Sequence, residues 1–347
     1  MRILVVGGAG YIGSFMVQRL IERGIETVVF DNLSTGHRDA LHPSALFIKG
    51  DLSDKDEVRR VFGSMSFDAV MHFASFILVE ESVCEPMRYY QNNVANTIGL
   101  LDAMMESGVK CFIFSSSAAV FGDPESIPIN EGHPKKPVNP YGWTKCMVEQ
   151  ILEDASRASR IRYVSLRYFN ASGGHPDGSM GEDHYPETHL IPRILKSILS
   201  EDQDEVVTLF GTDYDTPDGT CIRDYIHVMD LAEAHLLALD YLKKGGRSDV
   251  FNLGSGQGSS VLEVVRTAEK VIGRPIPVIE APRRSGDPPI LVASSKKIIQ
   301  ELGWKPEYPE LETIIETAWK WHAAHPCGYQ KELNLSGSER PVGEVKR

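Results

Sequence analysis

The sequence is short of cysteine: the five present (Cys84, Cys111, Cys146, Cys221 and Cys327) are scattered and form no C-x-x-C pair. Neither a disulfide framework nor a zinc knuckle is indicated, no metal site is expected, and a reducing setting fits best. No apolar run approaches the ~18 residues that a membrane span needs. The strand-like run 3–6 follows directly on Met1 and Arg2, which leaves no room for a signal peptide. Positive charge is also scarce, with 36 basic residues against 48 acidic ones and a net charge of −12. That balance disfavours nucleic acid as a partner while leaving room for a local anion site. The expectation is a soluble, cytoplasmic protein without membrane or nucleic-acid partners. What is present is a 347-residue chain, 42% apolar, with enough length for a sizeable core and about two domains.

Short β-branched and aromatic runs at 3–6, 27–30, 46–48, 69–73 and 112–114 alternate with helix-period segments at 12–23, 54–62 and 86–105. A sixth strand is expected at 163–168. This alternation predicts an α/β fold, a doubly wound parallel sheet of Rossmann type with helices on both faces. Gly24 and Gly108 stand where C-terminal helix caps are expected. Beyond Gly173 the texture changes to loops rich in Gly, Pro, Asp and His (173–186 and 211–220), with helices expected near 191–200, 230–243, 261–272 and 310–322. Residues 328–347 are polar and aperiodic and read as a flexible tail.

The run Ile3–Gly13 reads as a buried strand, a glycine turn and a helix start, and Gly7, Gly8, Gly10 and Gly13 satisfy dinucleotide-loop spacings. Glycine lets the backbone turn sharply and lets a pyrophosphate approach the helix N-terminus, where free N–H groups favour anions. Asp31 follows at the end of the second strand, suited to a ribose hydroxyl and repulsive to the extra phosphate of NADP. A helix-capping role is the alternative for Asp31. Asp51 after the third strand is a further candidate at the adenine end, and His72 reads as packed inside.

Tyr141 and Lys145 stand four apart, hence on one face of a helix that begins near Tyr141. An ammonium beside a phenol favours the phenolate and makes a proton-transfer group. Ser117 ends the run Ser115-Ser116-Ser117 after an apolar strand, at the strand end where open parallel sheets place their ligands.

Together with Asn92-Asn93-Val94, these features resemble an extended short-chain dehydrogenase/reductase. Within that superfamily, the stretches 115–122, 166–173, 219–232 and 283–289 closely resemble the UDP-glucose 4-epimerase family, and the match runs from about 1 to 325. The resemblance implies a Rossmann domain at 1–172, mainly substrate-binding residues at 173–327 with segments returning to the first domain, and a homodimer formed by helices 86–105 and 141–155. It implies bound NAD and a UDP-hexose that passes through a 4-keto intermediate, interconverting UDP-glucose and UDP-galactose. Ser117, Tyr141 and Lys145 would be catalytic. The implied cofactor contacts are Gly7, Gly10, Tyr11, Ile12, Gly13, Asp31, Asn32, Asp51, Leu52, Phe73, Ala74, Asn92, Ser115, Tyr141, Lys145 and Tyr168. The implied substrate contacts are Ser117, Tyr141, Asn170, His189, Leu190, Phe210, Arg223, Arg284, Asp287 and Leu291. For Phe210 a core role competes with packing on the uracil.

Phe15, Phe121 and Thr144 depart from the usual family pattern without touching the proposed proton path. Ile77 stands where many relatives carry a polar residue near the nicotinamide, and Leu291 where the family walls the sugar pocket. Leucine is smaller than tyrosine there, so UDP-GlcNAc and UDP-GalNAc are further expected substrates. The rival readings are a nucleotide-sugar 4,6-dehydratase, a UDP-glucuronate 4-epimerase and, from another class, a non-catalytic NAD-binding regulator. The dehydratase would need an acid and a base near the serine, where Ala118 and Ala119 offer neither.

Overall fold

The computed structural model describes residues 1–158, 160–200, 206–284 and 287–329. Most of the expected tail therefore lies outside the described residues. Six apolar runs become the strands β1 (Arg2–Val6), β2 (Glu26–Asp31), β3 (Leu46–Lys49), β4 (Ala69–His72), β5 (Cys111–Ser117) and β6 (Arg162–Tyr168). The seventh, β7 (Asp249–Leu253), was not expected from the sequence and follows the helix Val228–Lys243, about 80 residues after β6. All pairings in this sheet are parallel, in the order β7-β6-β5-β4-β1-β2-β3. Strand order reverses between β1 and β4, and such a crossover opens a crevice beyond the strands' carboxyl ends.

Helices cover both faces because the strands are apolar on both. One face packs Met16, Val17 and Leu20 of α1 (Tyr11–Glu22) with residues of a later helix, Val228–Lys243. The other packs α2 (Lys55–Ser64), α3 (Asn96–Glu106) and α4 (Pro140–Arg157) through Val61, Leu101, Met104, Val148 and Leu152. Local signals set the ends. Asp54 caps α2 by accepting from the Asp56 and Glu57 amides, and Asn139 caps α4 by accepting from Gly142 N at 2.8 Å, with Pro140 at its first turn. Gly24 and Gly108 close helices at φ +69° and +76°.

The segment 86–105 is not one helix. It runs as Pro86–Tyr89, a π-helical stretch Tyr90–Ala95, and α3. The Asn93 carboxamide supplies a reason, since it bonds the Phe76 amide at 2.9 Å, the Phe76 carbonyl at 3.0 Å and Thr144 Oγ1 at 3.1 Å. That cross-link holds the local widening beside the crevice, a common place for π-bulges.

The second half builds a smaller layer around Ile191, Ile194 and Leu195 of α5 (Leu190–Leu199), with apolar residues of Val261–Ile272 and Leu311–Ala324. Its strands are short: Asn170–Ser172 pairs with Tyr225–His227, Ile222–Arg223 with Ser259–Ser260 and Ile290–Leu291, and Val207–Phe210 with Val278–Ala281. Among the described residues, no helix is long and apolar enough to cross a membrane.

Candidate active site

The glycine turn sits at the mouth of the crossover. Gly7 has φ +77°, and a Cβ there would fall 2.3 Å from the Ala74 amide nitrogen; one on Gly13 would fall 2.2 Å from Gly7 O. Gly10 is different, because its Cβ would meet nothing closer than Gly7 O at 3.5 Å. It begins α1 with no side-chain cap, so the open space lies where the first amides of the helix point. These features fit a dinucleotide pyrophosphate. One crevice is lined by Gly7, Gly10, Asp31, Asn32, Asp51, Leu52, Phe73, Ala74 and Asn92, all singled out in the sequence.

Asp31 also has a structural task. Its carboxylate accepts from Ala9 N at 2.9 Å and Leu33 N at 2.8 Å, bracing the glycine loop, while burial pushes its pKa up against those bonds. Leu33 is held at φ +61°, an uncommon conformation for a branched residue. Asn32 donates to Asp51 at 2.7 Å across the crevice floor. Sequence reasoning missed Ser34, Thr35 and Gly36, which also line the crevice, as do Val6, Phe30, Gly50, Ser75 and Phe76. The short polar run directly after Asp31 was the available signal. His72 is buried, 2.9 Å from Thr97 Oγ1, and burial drives its pKa down to about 3.

The strand β5 extends through all three serines, and the sheet sorts them. Ser115 bonds the Tyr168 hydroxyl. Ser116 donates to Glu149 Oε1 at 2.7 Å, and Glu149 is gripped by Arg167 through bonds of 2.7 and 2.6 Å. Burial pushes the Glu149 carboxyl up, but Arg167 and Ser116 hold it below its ordinary value. Ser117 remains: its hydroxyl accepts from Ala119 N at 3.2 Å and is near enough to the Tyr141 phenol to favour its ionised form.

Tyr141 and Lys145 share one face of α4 as the spacing predicts. The Lys145 ammonium is 5.8 Å from the Tyr141 ring centre and donates to Ser115 O at 2.9 Å. The expected lowering of the phenol's pKa does not appear. Burial pushes Tyr141 up, with the nearby Ser117 hydroxyl only partly offsetting it, and burial drives Lys145 down to about 7. A cation that is itself desolvated and committed to a carbonyl gives the phenolate little support.

A second cavity lies in the smaller layer. Asn170, His189, Leu190, Phe210, Arg223, Arg284 and Asp287 all line it, together with Thr188, Arg193, Thr208, Cys221 and Tyr225, which the sequence did not single out. Arg223 is ion-paired with Asp287, and the Arg284 guanidinium lies 4.0 Å over the Phe210 ring. Leu291 is outside this lining. It packs on Val120, Phe121 and Ile129, and pairs by register with Arg223. Ile77 is exposed, one residue past Phe76 of the crevice wall. Near the cavity, donor atoms of Glu182, His184, Glu187 and His189 all lie within 4.8 Å of one another.

A crevice fitted to a dinucleotide, a tyrosine–serine pair at the strand end and a second, arginine-lined cavity are features to compare with known proteins. A family model described as the NAD dependent epimerase/dehydratase family matches residues 3–254. The chain is 54% identical over 331 residues to the UDP-glucose 4-epimerase of Streptococcus mutans, covering 95% of this chain and 99% of that one. It is 49% identical over 346 residues to the UDP-glucose 4-epimerase of Azospirillum brasilense, covering 100% and 97%. A crystal structure of a UDP-glucose 4-epimerase superposes with a TM-score of 0.93 at 51% identity, covering 95% and 100%. The Bifidobacterium longum enzyme in complex with NAD+ and UDP superposes with a TM-score of 0.89 at 39% identity, covering 94% and 100%. With that extent of agreement in sequence and in fold, the chain belongs to the NAD dependent epimerase/dehydratase family.

Proposed function

We propose that the protein interconverts UDP-glucose and UDP-galactose through a 4-keto sugar, with NAD retained throughout. The observation that carries the reading is the grouping at the carboxyl end of β5, where Ser117 ends the strand and Lys145, bonded to Ser115 O, lies 5.8 Å from the Tyr141 ring centre. NAD in the crevice supplies a hydride acceptor, later a donor, and in its oxidised form a positive ring. Gly7, Gly10, Gly13 and Asp31 would hold it, with Tyr11, Ile12, Asn32, Asp51, Leu52, Phe73, Ala74, Asn92, Ser115 and Tyr168 around it. Tyr141 takes the proton of the sugar 4-hydroxyl and returns it, and Ser117 orients that oxygen. Burial raises the phenol's pKa in the protein alone, and the positive ring of oxidised NAD would favour the phenolate.

Asn170, His189, Leu190, Phe210, Arg223, Arg284 and Asp287 would grip the uridine diphosphate, with guanidinium groups suited to phosphate. The ketone then turns about its diphosphate link and presents its other face. Leu291 bounds the sugar side, and turnover of UDP-GlcNAc measures how much room it leaves. We take 1–172 as the cofactor domain, 173–327 as mainly substrate-binding and 328–347 as the tail. Exposed Met87, Ile98, Trp143 and Met147 lie on the segments 86–105 and 141–155 that the resemblance assigns to a dimer contact, which supports a homodimer; we take the protein as cytoplasmic.

The test is to incubate purified protein with UDP-galactose and no added cofactor and to follow UDP-glucose. Product formation that falls ~1,000-fold or more in Tyr141→Phe is expected from loss of the proton-transfer group. A 4-keto-6-deoxy product would select the dehydratase, and bound NAD without turnover would select the regulator.

A further inference from the structure

Between the two cavities lies a turn that belongs to neither lining, and its three residues face different ways. Asp183 faces the cofactor side: its backbone oxygen is 3.1 Å and its carboxylate 3.3 Å from His37 Nε2. The His37 amide donates to Ala9 O at 2.9 Å, inside the glycine loop. His184 lies edge-on to the Tyr11 ring with centres 6.2 Å apart, and Tyr11 is the first residue of α1. The Tyr11 hydroxyl donates to Gly173 O at 2.6 Å, tying the start of the same long loop to the glycine turn.

Glu182 faces the substrate side. Its carboxylate is buried, hydrogen-bonded to His184 Nδ1 at 3.1 Å and in ion-pair contact with His189 Nδ1 at 2.6 Å, out of line for a hydrogen bond. His189 stands at the head of α5 and lines the nucleotide cavity. Glu187 offers His189 a longer partner at 3.5 Å. The turn itself is clamped, since Trp321 Nε1 donates to Glu182 O at 3.2 Å and a Cβ on Gly181 would fall 2.0 Å from the Trp321 ring. A carboxylate this buried is costly unless its charge is matched, and here the imidazoles match it.

We propose that Glu182 is a positioning residue for the substrate: it fixes the His189 imidazole on the cavity wall and ties that wall, through His184 and Tyr11, to the cofactor loop. The inference rests on the UDP-hexose reading of the cavity. The ligand chemistry served is an anionic diphosphate, toward which an oriented imidazolium is a charge-assisted donor. The charge state agrees: although burial opposes protonation, Glu182 pushes the His189 pKa up to about 10.

The experiment compares wild-type holoenzyme with Glu182→Gln, His189→Ala and the double variant, measuring UDP binding by calorimetry and kcat and KM with UDP-galactose. Glu182→Gln is expected to weaken UDP binding and raise KM by about 10-fold, with kcat reduced less than ~3-fold, because a lost binding contact affects ground and transition states alike. His189→Ala should show the same loss of UDP affinity, and the double variant no further loss, since both act through one contact. Additive effects, unchanged UDP affinity in Glu182→Gln, or a fall in kcat and NAD content at constant KM would overturn the proposal, the last marking a merely structural carboxylate. Should Glu182→Gln fail to fold, the cavity-facing His189→Ala decides alone, and undiminished UDP affinity there overturns it. Stoichiometric zinc in the purified protein would overturn it in favour of a metal centre. Wild-type protein that binds no UDP would instead remove the reading of the cavity, and this inference with it.

Discussion

The cofactor crevice draws its lining from residues 6–92, whereas the nucleotide cavity collects its lining from segments spread between 170 and 287. The crevice wall is backbone against backbone: Gly7 against Ala74, Gly13 against Gly7 O, and Gly36 with a Cβ position 2.6 Å from the Ala9 carbonyl carbon. The cavity wall is made of side chains held by partners, as in Arg223 on Asp287 and Arg284 over Phe210, and carried by strands of two to four residues. Backbone packed this closely, with no room for a Cβ, cannot yield without moving a strand, while side-chain pairs can exchange partners. One region is therefore built to keep its ligand and the other to release it. That division suits a redox-neutral cycle in which the nucleotide sugar alone must come and go.

The contrast breaks most visibly at Gly7. Gly7→Ala places a Cβ on backbone atoms at a positive φ, so a stability loss of about 3 kcal/mol is expected in denaturant unfolding, and the purified protein is expected to carry no NAD. Retained NAD at unchanged stability would mean the crevice wall is as adaptable as the other. Arg223→Lys probes the side-chain wall: it keeps the charge and loses the fork, so KM for UDP-galactose should rise about 10-fold, or about 1.4 kcal/mol, with NAD content unchanged. Loss of NAD in that variant would join the two regions into one unit.

The smallest effect concerns Lys145 at their junction. Burial lowers its pKa to about 7, below the ~10.4 of an unfolded chain, so the unfolded state binds the proton more readily. The resulting penalty is complete below about pH 7 and fades as pH rises toward ~10. Cofactor-stripped Lys145→Met should thus be inactive, and its stability relative to wild type should be greatest at pH 6 and fall as pH rises to ~10. Equal stabilities at both pH values would show that the ammonium is not desolvated in the folded protein.

Much of the crevice was legible because its signals are local. The glycine spacing, Asp31 and the strand alternation occupy consecutive sequence, and the structure brings them to one crossover. The Tyr141–Lys145 face was equally readable from helical spacing and the Asn139-Pro140 start. Their acidity was not, since it depends on burial by chain segments distant in sequence. Nor was the break at Tyr90–Ala95, where Asn93 turns from solvent to bond Phe76 and Thr144. On the nucleotide side, Asn170, Phe210 and Arg223 were placed by resemblance, while Thr188, Thr208 and Tyr225 carry no spacing that announces a cavity. β7 escaped notice because a five-residue strand beyond a long helix gives no sign of which sheet it joins.

That strand decides what can be cut away. Asp249–Leu253 pairs with Val164–Tyr168 and so covers the outer border of β6. Without it, a row of unpaired amides and carbonyls on a long apolar strand would stand open, ready to pair with another chain. A fragment ending near residue 172 would not be a minimal cofactor-binding module; it would be a sheet with an unguarded margin and a tendency to aggregate. The chain after β6 thus leaves the sheet and comes back at Asp249–Leu253, and its return is what closes that margin.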